Sequence, residues 1–103
     1  MNVAELDNML VHQKNEILLL IHSRDLDRMQ RALDRLDAVA ELWCNSRYHY
    51  KGKECCQQIR DTCLAMRQET RNWKRRDRIN AVWQEAGLLW EKFWRAEQAW
   101  KAA

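Results

Sequence analysis

An all-α fold, a small antiparallel bundle of four amphipathic helices, is predicted by this sequence on three observations. Proline is absent and glycine occurs only at Gly52 and Gly87, so strong helix breakers are almost missing from 103 residues. Good helix formers, Leu, Ala, Glu, Gln, Arg, Lys and Met, dominate the composition. Apolar residues recur at steps of three and four, the spacing of one helix face. A chain of this length fits one domain, residues 1–103, and buries a working core when its helices are fully used.

The first helix is expected over 3–21, from the series Val3, Leu6, Leu10, Gln13, Ile17 and Leu20. Continued in register, that series would bury Arg24, Asp27, Arg31 and Asp34. The apolar series instead restarts as Leu26, Met29, Leu33, Leu36, Ala40 and Trp43. Such a two-residue slip rotates the face by about 200°, which requires a turn or sharp kink at 22–25 with Ser23 or Asp25 as cap. The second helix is expected over 25–50, with Tyr50 continuing its core series.

Lys51-Gly52-Lys53 is the clearest turn signal, Gly52 suiting a left-handed C-cap. A third helix over 54–76 follows, with Cys56, Ile59, Cys63, Met66, Thr70 and Trp73 on its face. The fourth, over 79–101, carries Ile79, Val82, Ala86, Leu89, Phe93 and Trp100. Their faces lie about 170° apart, so one straight helix cannot offer both sets to the same neighbour. A break near Arg76–Asp77, capped by Asp77, resolves the conflict. The rival is an unbroken helix over 54–101, giving three helices, since no Gly, Pro or Ser lies between 53 and 86.

Composition also excludes function classes. The longest apolar run, Ile17 to Ile21, is far short of the roughly 20 residues of a membrane span, so no membrane partner is expected. The N-terminus lacks the pattern of a secretory signal, and a cytoplasmic location follows as the expectation. Cys44, Cys55, Cys56 and Cys63 would then stay reduced and serve as small apolar core residues. A zinc site from Cys44, His49 and Cys55 or Cys56 would lack both C-x-x-C and H-x-x-x-H spacing, and no metal or cofactor is expected.

No constellation for catalysis is present. Glu-x-x-His, a Gly-rich phosphate loop, G-x-S-x-G and HExxH are all absent. His12 and Glu16 stand one turn apart, a spacing more typical of a surface hydrogen bond than of an acid–base pair. Cys44 with His49 has no accompanying oxyanion site. The expected function is binding, not chemistry.

Charge is concentrated in one place. Residues 67–78, RQETRNWKRRDR, hold six bases against two acids and a net +4, while the whole chain carries a formal +3. On a helix, Arg67, Arg71, Lys74 and Arg78 would fall within about 60° of one another as a basic stripe. Such a row can follow a phosphate backbone or an acidic protein surface, or simply face solvent. A nucleic-acid reading would use Arg67, Arg71, Lys74, Arg75 and Arg78, helped by Tyr48 from the cluster Arg47-Tyr48-His49-Tyr50-Lys51. Elsewhere Asp–Arg pairs such as Asp27–Arg31 are expected to support the second helix.

Four of the six tryptophans and the only phenylalanine lie in the last 21 residues: Trp83, Trp90, Phe93, Trp94 and Trp100. On a wheel, Ala86, Leu89, Phe93 and Trp100 share one side, and Trp83, Trp90 and Trp94 form a strip about 80° away. That arc is wider than one bundle seam. The helix is therefore buried on two sides, or pairs with a second copy as a homodimer, or meets a larger protein. The expected function is a small helical adaptor, inhibitor or regulator, with Trp83, Trp90 and Trp94 as anchors and Arg67, Arg71, Lys74 and Arg78 as steering charges. A nucleic-acid binder and a structural homo-oligomer are the alternatives.

Overall fold

The computed structural model describes residues 2–103 and consists of four helices: α1 (Val3–Ile21), α2 (Leu26–Cys44), α3 (His49–Glu69) and α4 (Trp73–Ala102). Each start has a local cause. Asn2 caps α1 in a capping box, its Oδ1 accepting the Glu5 N–H at 2.8 Å while the Glu5 carboxylate accepts the Asn2 N–H. Asp25 caps α2 by accepting from the Asp27 and Arg28 amides, so the turn falls at 22–25 where the shifted apolar series demands it.

The second turn lies earlier in the chain than expected. α2 stops at Cys44, where the chain tightens into a turn: Asn45 Nδ2 joins its own backbone N–H on the Glu41 carbonyl, and Ser46 gives both its N–H and its Oγ–H to the Trp43 carbonyl, three residues back, instead of continuing the helical ladder. Residues 51–53 are helical, and neither glycine has positive φ. Gly52 is therefore no C-cap. It is buried inside α3, where the ring of Phe93 presses so close that a Cβ would stand 2.5 Å from Cε1 and Cζ. Tyr50, moved from the end of α2 to the first turn of α3, is exposed.

The third turn is also displaced. α3 ends at Glu69, Thr70 is extended at φ −107° and ψ 139°, and Asn72 caps α4 by accepting the Arg75 N–H at 3.1 Å. The break thus comes at 70–72, not at Arg76–Asp77, and Asp77 lies within the first turns of α4. The continuous 54–101 helix is excluded by the same geometry. Thr70 is half-buried and Trp73, past the end of α3, is exposed.

Cross-helix contacts define an up-down-up-down order. Glu16 meets Arg35 and Gln13 meets Trp43 between antiparallel α1 and α2. Gly52 meets Phe93, Arg60 meets Gly87 and Arg67 meets Asn80 between antiparallel α3 and α4. Asp27 with Arg78 and Gln30 with Glu85 tie the parallel pair α2 and α4. Asp27 is thereby drawn across to α4 and forms no pair with Arg31. α1 touches α2 and α3 but not α4, so the bundle is a flat slab of 50 × 28 × 16 Å whose length follows α4.

One core runs through all four helices. Every member of the α2 series from Leu26 to Trp43 is buried, as are Cys55, Cys56, Ile59, Cys63 and Met66 of α3 and Ile79, Val82, Ala86, Leu89 and Phe93 of α4. α1 contributes Leu10, Ile17 and Ile21, while Val3 at its start is exposed. Gln13 keeps its place in the α1 series by hydrogen bonding, its Oε1 accepting the Trp43 indole N–H at 2.9 Å. No described helix is long and apolar enough to cross a membrane.

Candidate binding surfaces of the α3–α4 hairpin

The 70–72 turn divides the basic stretch. Arg67 belongs to α3 and donates to Asn80 Oδ1 at 3.1 Å across the hairpin, whereas Lys74 and Arg78 belong to α4 and Arg71 to the turn. No single helix therefore carries Arg67, Arg71, Lys74 and Arg78 as a stripe. Arg78 is paired with Asp27 at 2.9 Å, and Glu69 is taken by a two-pronged contact with Arg24 at 3.0 and 3.1 Å. Arg71, Lys74, Arg75 and Arg76 make no ion pair among the described residues.

Trp83, Trp90 and Trp94 do share a face, on the flank of α4 that turns toward α3. Trp83 and Trp90 are half-buried against the core. Trp94 is 41% exposed and stacks on Trp90, ring centroids 6.4 Å apart and planes 12° from parallel. Trp100 of the expected core side is 54% exposed instead, leaning on His49 at 5.5 Å where α4 overruns its neighbours. Along α4 the strip is remote from the cations: sixteen residues separate Lys74 from Trp90, about 24 Å of helix rise. Tyr48 is farther still from the cations, at the opposite end of α3, its ring edge-on to Trp43 at 5.3 Å.

Two residues of these surfaces escaped the sequence reading. Arg60 lays its guanidinium 4.3 Å from the centroid of the Trp83 ring and beside Gly87, whose missing side chain leaves the room. It pairs with no carboxylate, and among the described residues neither its Nε–H nor the Trp83 indole N–H finds an acceptor. Only the hairpin register sets Arg60 opposite Gly87. Trp73 continues the apolar series of the third segment, but Thr70 followed by Asn72, a β-branched residue and a cap former, is the signal that puts it beyond the break.

The far end of the hairpin is pinned by charge. Glu97 of α4 is clasped by Lys53 of α3 and by Lys101 one turn on, and these ammonium groups, Lys53 first, hold its carboxyl down to about 2. On α1, the expected His12–Glu16 contact is present at 3.5 Å on an open surface, with Glu16 also bound to Arg35.

All four cysteines are free thiols, three of them buried. Burial pushes Cys55 and Cys63 up to about 11 from the ordinary 9.0, and Cys56 higher. Half-buried Cys44 is raised by burial and partly restored by nearby Lys92. At pH 8 a disulfide reagent is expected to modify Cys44 alone in the native protein, with the other three reacting only on unfolding. The unfolded thiols ionise near pH 9 while the buried ones keep their protons. The thiols' contribution to stability is thus expected to be flat from about pH 5 to 9 and to fall as pH rises from about 9 through 11 and beyond, while protonation of Glu97 lowers stability separately below about pH 4.5, as thermal unfolding across both ranges would record. Among the described residues no three His, Cys, Asp or Glu side chains gather to hold a metal ion.

Compared with known proteins, the chain matches no family model, no curated protein and no solved structure. The class defined by its own geometry is a small all-α bundle with an aromatic flank and a cationic tip on one helical hairpin.

Proposed function

We propose that the chain is a non-enzymatic binding module that docks on a larger protein or assembly through the aromatic flank of the α3–α4 hairpin. The observation that carries this reading is the stacked Trp90–Trp94 pair, left partly in water on the same flank of α4 as Trp83, over which Arg60 lies with no acidic partner. Aromatic and Arg side chains concentrate binding energy where they are desolvated by a partner, and burying two indoles contributes several kcal/mol, roughly, before association costs. The partner's complementary feature is an apolar segment carrying a carboxylate, which would meet the guanidinium of Arg60. Free thiols fit a reducing, cytoplasmic setting for this activity.

Replacing both Trp90 and Trp94 by alanine is expected to abolish capture of the partner from the native cell, scored by mass spectrometry after nuclease treatment, with helical circular dichroism retained. Capture that persists with the fold intact removes this reading. Sedimentation of the chain alone separates out a second copy as occupant: a mass that rises with concentration and reverts to monomer in the double variant assigns the flank to a homodimer.

A further inference from the structure

The geometry points to the tip of the α3–α4 hairpin as a binding site for single-stranded nucleic acid, with Trp73 as a base-stacking platform and Arg71, Lys74, Arg75 and Arg76 as phosphate contacts. This goes beyond the docking reading and rests on different residues, about 24 Å along α4 from the Trp90–Trp94 pair.

Three observations carry it. α4 begins at Trp73, yet its first buried residue is Ile79, and every residue from Arg71 to Arg78 is exposed. The tip therefore projects past the core, and even Arg75, which falls on the same side of the helix as Ile79 and Val82, stands in water. The local acids do not compensate it: Glu69 is committed to Arg24, and Asp77, the only acid of the projection, pairs with none of the four cations. Four unpaired positive charges within six residues are the footprint of a polyanion partner.

The third observation selects the kind of polyanion. Trp73 is the most exposed of the six tryptophans, at 68%, and it sits among those cations with Lys74 Nζ 5.7 Å from its ring centroid. Stacking on an open indole requires a base whose face is free, which a duplex hides within its own stack and a single strand offers. An acidic protein surface would satisfy the charges but has no general use for the ring. The combination of cations for the backbone and an aromatic plane for the base is the recognition mode of sequence-tolerant single-strand binders.

Fluorescence anisotropy of labelled U12 and dT12 tests this, with a self-complementary duplex and polyglutamate as competitors. Single strands are expected to bind, with log affinity falling against log salt at a slope of about −3, the release expected for four phosphate contacts on a single strand. Trp73→Ala is expected to weaken binding about tenfold without altering the slope, and Arg75→Gln with Arg76→Gln to reduce the slope by about half. Trp94→Ala should leave oligonucleotide binding unchanged, so this test and that of the docking flank fail independently. These tip side chains are outside the core, and circular dichroism verifies that the variants fold. The proposal is overturned by absence of binding at low salt, by a duplex or polyglutamate competing as well as the single strands, or by a Trp73→Ala protein that binds like the wild type.

Discussion

Replacing Trp43 by alanine is expected to lower the unfolding free energy by about 3–5 kcal/mol, the range for deleting a buried aromatic side chain. Trp43 has no exposed surface, and it joins three helices: Gln13 of α1 accepts its indole N–H at 2.9 Å, Phe93 of α4 lies 6.4 Å from its ring, and Tyr48 meets it edge-on just before α3. A loss of that size is a large fraction of the ~5–15 kcal/mol that holds a small domain together. Gln13→Leu isolates the polar part, because the indole N–H is then buried without an acceptor at a cost of about 1–3 kcal/mol. Urea unfolding followed by far-ultraviolet circular dichroism measures both. A Trp43→Ala midpoint equal to that of the wild type would contradict the packing of Gln13 and Phe93 against this ring.

The two glycines are expected to respond to alanine with opposite signs. In an ordinary helix interior Gly→Ala stabilises by about 0.5–1 kcal/mol. At Gly87 the new methyl would find only the flexible guanidinium of Arg60 at 3.5 Å, so the helix gain should be realised. At Gly52 it would meet three atoms of the Phe93 ring at 2.5–2.6 Å, and that ring, fully buried against Trp43, has nowhere to retreat. Overpacking of this kind costs about 1–3 kcal/mol and outweighs the propensity gain. Gly52→Ala should therefore destabilise, and Gly52→Val should do so more strongly. Phe93→Leu, itself destabilising, should make a second substitution Gly52→Ala nearly neutral or favourable. Two urea midpoints that shift in the same direction for Gly52→Ala and Gly87→Ala would contradict the close helix crossing.

The helical class was legible because it rests on local chemistry that repeats along the chain. The α1 limits and the 22–25 turn follow from apolar spacing and from Asp25, whose carboxylate can serve the new helix without any distant partner. Boundaries failed where the deciding atoms were remote or weakly signalled. Lys51-Gly52-Lys53 has the composition of a turn, and only the arrival of Phe93 from forty residues away makes Gly52 a helix-packing residue. The polar pair Asn45-Ser46 closes α2 with side-chain hydrogen bonds, and extended Thr70 with the Asn72 cap separates α3 from α4, signals less conspicuous than a glycine. Of the candidate residues, Trp83, Trp90 and Trp94 share a flank because all three lie on one uninterrupted helix. Arg67 and Arg78 are engaged across helices by Asn80 and Asp27, partners that sequence spacing does not name.

By itself, the sequence determined that the chain is helical, most of the residues that face inward along each segment, though not at the segment ends Val3, Tyr50, Trp73 and Trp100, and that positive charge gathers at 67–78 while indole gathers at 83–100. These are properties of propensity and periodicity, fixed by neighbours within a turn or two. Tertiary structure alone decided which of those charges are free and which aromatics are wet. Exposure and pairing depend on where one helix ends relative to another: α4 starts two turns before the core reaches it, leaving Trp73 and four cations in water, while Trp83, under Arg60 of α3, and Trp90 are partly buried against the core. The division between an aromatic flank and a cationic tip arises from that offset between two packed helices.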